Sequence, residues 1–222
     1  GADITVTINA AGDLTLAASE DIVFGDTTVG GNLSATTTSG SNHDITDTGT
    51  IVVVGTAVLT TGGRNRDVDV RSTNNDFSSF TAYGHHVKVK DVNSIVLGNI
   101  TATSGQVIVK SGGTVTQTGP ITSVSATTVW SNSSPKQNVT LDHSDNNFGS
   151  GAVLIQGNVV EVNSSSTVNM GASTITGTFD LTASGAVTDS GNLAITGATT
   201  INASSNAVTL DSTNTFSNNL TV

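Results

Sequence analysis

The densest group of ionisable side chains runs from Arg64 to Asp91 and holds Arg64, Arg66, Arg71, His85, His86, Lys88 and Lys90, with Asp67, Asp69 and Asp91 among them. Five of the seven basic residues of the chain fall in this stretch. Arg71 follows the pair Val68/Val70, Lys90 follows Val87/Val89, and Lys110 follows Val107/Val109. If each Val-x-Val pair opens one unit of a stack, Arg71, Lys90 and Lys110 stand in one column. Such a column, with Lys88 and Arg66 beside it, reads as a strip for an anionic partner, either a glycan or an acidic filament. The alternative is a solvated edge whose cations pair with neighbouring aspartates at little gain in stability.

Other chemistry is thinner. Asp142, His143 and Asp145 form a D-H-x-D turn that offers two carboxylates and an imidazole. The related turns 71–74 and 211–214 lack that set, so a polar corner is expected there rather than a metal centre. Asp44 and Asp47 are matched by Thr114 and Gln117 in a related segment, which does not fit a general acid and base. No G-x-S-x-G nucleophile elbow stands out. The Gly-Gly turns after Val29 and Ser111 lack the lysine and helix of a phosphate loop. With no cysteine, thiolate catalysis and cysteine-held metals are excluded. No catalytic residue, metal or cofactor is expected.

The net charge of −10 argues against non-specific nucleic-acid binding, which needs clustered cations facing phosphates. No run of apolar residues is long enough for a membrane-spanning helix. Charged residues make up only 11% of the chain, and hydrophobic ones 35%. Low charge with low hydrophobicity usually suggests disorder, but here Val, Ile and Leu alternate strictly with Thr, Ser and Asn as in half-buried strands, which disorder does not require.

What would position these side chains is a repeat. Asp13–Gly25, His86–Gly98 and Val159–Gly171 align, with Phe24, Leu97 and Met170 at successive spacings of 73. On this alignment Leu14, Val87 and Val160 share a column, as do Leu16, Val89 and Val162, and Ile22, Ile95 and Val168. DITDTG (44–49), TVTQTG (114–119) and AVTDSG (186–191) recur out of phase with it. So do Phe77, Phe148 and Phe216, each after an Asn-rich corner.

Inside the long period of 68–73 residues lies a shorter one. Val68/Val70, Val87/Val89 and Val107/Val109 are shifted by 19 and 20, with Val139/Leu141 taken as the next recurrence. Rungs of about 20 residues cannot bury an apolar face alone, but stacked in parallel they can. An all-β parallel solenoid follows, preferred over an antiparallel sandwich, which needs no such period. About ten rungs at the strand spacing give a rod roughly 5 nm long. Residues 1–222 read as one continuous segment of a longer repeat protein, with both ends inside the pattern. Phe24, Leu97, Met170, Phe77, Phe148 and Phe216 should point inward. Trp130 should stand in the column of Leu59 and Ile201, with 131–137 looping outward. Asparagines at 74–75, 146–147 and 214 should form amide ladders along the axis.

The string AVTDSGNLAITGATTINASSNAVTLDSTNTF (186–216) resembles the repeats of giant secreted bacterial adhesins of the filamentous-haemagglutinin kind. The resemblance extends over essentially the whole chain in composition and period. It implies a right-handed parallel β-helix, exported to or beyond the bacterial cell surface, that serves as a stalk or filament. Its partners would then be neighbouring repeats stacked end to end and cell-surface glycans. A β-helical polysaccharide-acting enzyme and an ice binder with Thr-x-Thr ranks (Thr5/Thr7, Thr114/Thr116, Thr174/Thr176) are the other two classes such a body allows.

Overall fold

The computed structural model describes residues 3–38, 43–62 and 65–222. Every strand pairing among them is parallel, in two sheets whose main paths each contain eleven strands, giving about eleven turns of a β-solenoid. A rung from the middle shows the plan. Val87–Asp91 forms one face, and Ile95–Ala102 bends across two more. The next rung lies on it in register, with Val87 beside Val107, Ile95 beside Val115 and Ile100 beside Ile121.

Strand alternation sends every second side chain inward. Ile22, Ile45, Val68, Val87 and Val107 pair in succession and are all fully buried, so one column runs through five rungs. β-Branched residues suit this place because they fill a pleated, narrow interior with little loss of rotamer freedom. The large side chains plug the corners. Phe24, Leu97, Met170, Phe77 and Phe148 are fully buried, as expected. Phe216, on the eleventh turn, is half-buried against the same core.

The long repeat is not laid down as the linear alignment suggests. Leu14 pairs with Leu33 in one sheet, Val87 pairs with Val107 in the other, and Val160 pairs with Val139 back in the first, on a different branch. The three do not share a column. The cause is the rung length. Paired residues are separated by as few as 17 positions (Ala152 and Asn169) and as many as 26 (Thr127 and Val153), so 73 residues is not a whole number of rungs. What recurs is a local unit, a five-residue strand followed by a turn and a second strand, whose first strand falls on a different branch of the sheets in each copy.

Two finer expectations fail for related reasons. The rung after Val107/Val109 carries Thr127/Val129, not Val139/Leu141, which lie on the other sheet between Val115 and Val160. Thr127 hides the recurrence because it fills an apolar column with a polar side chain. Trp130 pairs with Lys110 and Gln156, whereas Leu59 pairs with Ala82 and Ala35, and Ile201 with Leu181. Val129 takes the inward place and the indole therefore faces outward. The stretch 131–137 stays close to the rod: Gln137 N–H donates to Ser131 Oγ at 2.8 Å and Lys136 Nζ to the Ser131 carbonyl at 2.8 Å.

The corner asparagines do not ladder with one another. Asn146 sits under the TVTQTG segment, where its amide exchanges hydrogen bonds with Gln117 at 2.9 Å in both directions. Its Oδ1 accepts the Ile121 N–H at 2.8 Å. The two landmarks that ran out of phase in the sequence are thus stacked on each other.

Candidate functional surface

The corner that leads into the Val87–Asp91 face gathers a dense set of titratable groups. Counting back one residue from the buried column Ile22, Ile45, Val68, Val87 and Val107 gives Asp21, Asp44, Asp67, His86 and Gln106. The first four side chains each accept the backbone N–H of the neighbour one rung on. Asp44 N–H donates to Asp21 Oδ1 at 2.9 Å, Asp67 N–H to Asp44 Oδ1 at 2.7 Å, His86 N–H to Asp67 Oδ1 at 3.0 Å, and Gln106 N–H to His86 Nδ1 at 2.8 Å. Counting back two gives Glu20, His43, Arg66 and His85. Three of the four histidines of the chain therefore stand at this one corner. Later rungs make the equivalent turn with Ala126, Ala186 and Ala207, whose carbonyls still accept the strand N–H groups. The fold does not require charge there.

At Asp67 the groups converge. His85 Nδ1 lies 3.1 Å from Asp67 Oδ1, and Lys88 Nζ lies 3.6 Å from Asp67 Oδ2 and 3.4 Å from Asp69 Oδ2. The two imidazole rings meet edge to face with centroids 4.2 Å apart. Burial works against ionisation of Asp67, but hydrogen bonds from His86 N–H and His85, with the charge of Lys88, outweigh it and hold the carboxyl below its ordinary value. Burial pushes His86 below its ordinary value. Asp67 opposes that shift, while His85 and Lys88 add to it. Among the described residues this is the group of His, Asp and Glu side chains whose ligand atoms come together, all within 4.8 Å of one another. Sequence reading missed it because Asp67 and His85 are 18 residues apart; once the Val68 and Val87 register is known, the pair follows by counting back.

The proposed basic strip divides. Arg66 is buried at the corner, with a guanidinium nitrogen 3.3 Å from the Thr38 carbonyl, so it is not exposed on the strip. Arg71 is bound to Asp69 through Nε at 2.5 Å and a terminal nitrogen at 2.8 Å, and this hydrogen bond raises its pKa. Lys88 is held between Asp67 and Asp69. Lys90 and Lys110 stand side by side in register on the outer face, and Lys110 Nζ lies 4.7 Å from the centre of the Trp130 ring. Beyond Trp130 comes Gln156, whose Oε1 accepts from Lys136 Nζ at 3.3 Å. Arg64 lies outside the described residues.

The remaining candidates are set apart. In the D-H-x-D turn the His143 ring accepts the Asp145 N–H at 3.2 Å, which closes the turn on itself. The Thr-x-Thr pairs do not line up: Thr5 pairs with Val23, Thr116 with Val96, and Thr174 with Gln156 and Ala194.

Parallel rungs with locally repeated corners and an outer surface built mainly of Thr, Ser and Asn place this protein among the β-solenoid repeat proteins. The chain belongs to the family described as DUF5649, repeats of unknown function, whose pattern is matched three times, over residues 5–82, 84–155 and 156–222. No curated protein and no solved structure matches it.

Proposed function

We propose that this chain is a structural repeat segment of an extracellular bacterial adhesin or matrix filament, acting as a stiff rod for attachment to a surface or a biofilm. The observation that supports this reading best is the unbroken parallel pairing through about eleven turns, in which each rung buries its neighbour's apolar face. Such a body gains length without gaining a new core, and its backbone hydrogen bonds run along the axis, where they resist extension. The absence of cysteine makes its stability independent of redox compartment. Neighbouring repeats and cell-surface glycans are its partners on this reading, and Lys90 with Lys110 is the cationic pair on the outer face best placed to meet an anionic glycan.

Immunogold microscopy of the source cells with an antibody to this chain tests the proposal. Label on the cell surface or in the surrounding matrix is expected. Label confined to the cytoplasm would overturn it.

A further inference from the structure

We propose that Asp67, His85 and His86 form a binding site for a divalent first-row transition metal of the zinc class. Two imidazoles and one carboxylate are the donor set that such ions prefer over calcium or magnesium, which take oxygen ligands. Their ligand atoms lie within 4.8 Å of one another, on three residues that are half-buried and held by the ladder. Asp67 is fixed by the His86 N–H, and its own N–H is fixed to Asp44, so the carboxylate is held in place before any ion arrives. With three protein ligands the ion keeps an open position toward solvent.

Three contacts must give way: the ion itself replaces the His85 hydrogen bond to Asp67, and the other two have substitutes. Lys88 shares Asp67 and Asp69, and the approach of a dication drives it onto Asp69, which it already meets at 3.4 Å. His86 Nδ1 accepts the Gln106 N–H, which places the ring proton on Nε2. Ligation by His86 exchanges that hydrogen bond for a metal bond, and Gln106 is exposed, so water takes over its amide. The corner itself argues for a role beyond folding, since Ala126, Ala186 and Ala207 turn the same corner without charge or imidazole. Neither the solenoid nor its attachment role depends on this site, so the two proposals stand or fall separately.

Zinc chloride titrated into the tag-free chain in a non-coordinating buffer, followed by calorimetry and by the histidine ring signals in NMR, tests the inference. One ion per chain is expected, with the His85 and His86 rings shifting together. His85→Ala and Asp67→Asn should each weaken binding by about tenfold or more, while His143→Ala leaves it unchanged. Should a variant lose its fold, the ring shifts of the unaltered chain decide the matter. Absence of saturable binding, or saturable binding that moves only His43 or His143, would overturn the site.

Discussion

Asn214 Nδ2 donates to Asp189 Oδ2 at 2.6 Å across one rung of the solenoid, although the two residues are 25 positions apart in the chain. Asp189 Oδ1 also accepts the N–H groups of Asp211 and Ser212, and Asn214 Oδ1 accepts the Leu193 N–H at 2.8 Å. Asp47 and Asn75 repeat the arrangement: Asp47 accepts from Arg71 N–H, Ser72 N–H and Asn75 Nδ2, and Asn75 takes the Ile51 N–H. Gln117 and Asn146 are the neutral version. In each copy a phenylalanine follows the asparagine by two residues. The corner thus joins a polar clamp, which satisfies strand N–H groups, to an apolar plug.

Removing the amide of Asn75 should be costly, because Ile51 N–H is buried and would lose its acceptor. Asn75→Ala is expected to destabilise the chain by about 1–3 kcal/mol. Asn214→Ala should cost less, since Asn214 is more open to water. Urea unfolding of the two variants side by side checks the order, and equal losses would contradict the clamp.

The plugs should follow the same gradient. Phe148→Ala empties a fully buried site and is expected to cost about 3–5 kcal/mol. Phe216→Ala, at a half-buried site, should cost well under half as much. Thermal unfolding midpoints of both variants measure the difference.

Asp91 sets a pH dependence. Its carboxylate is buried, accepts Phe77 N–H at 2.7 Å and Asn93 N–H at 2.9 Å, and lies near Asp76. Burial raises its pKa to about 6, more than the hydrogen bonds lower it. The folded value is above the unfolded one, so between about pH 4 and 6 the folded chain binds the extra proton and stability rises as pH falls. The full effect is about 3 kcal/mol. His86, shifted down, acts in the opposite sense in an overlapping range, so the comparison must be with Asp91→Asn. Stability measured from pH 7 to 4 should show an acid-side gain in the parent chain that the variant lacks.

Trp130, the single tryptophan, reports on the outer face. Half-buried beneath Lys110, it should emit at shorter wavelength than a fully wetted indole, and Lys110→Ala should move the emission to longer wavelength. An unchanged spectrum would mean that Lys110 does not cover the ring in solution.

The inward columns were legible because Val, Ile and Leu alternate strictly with polar residues, so Val68, Val87 and Val107 reveal both the strand period and the rung. Face assignment was not legible. Thr127 broke the visible column, and the residues added before Val139 made one rung longer than the rest. Trp130 was misplaced by register, since a shift of one residue in a strand exchanges inside for outside. Arg66 looks like its neighbours in sequence yet is buried at the corner. The Asp67, His85 and His86 group was invisible for a different reason: its members are neighbours only once the rungs are stacked.

The uneven rung length also decides how the repeats present themselves. Thr15, Lys88 and Glu161 hold one position in the repeat, each following an inward residue of the unit, but they lie on three different branches of the sheets. Successive copies therefore display the same position at different azimuths, as threads of a screw do. A flat partner laid along one side of the rod meets only one of these three side chains, and a partner that winds around the rod meets all of them.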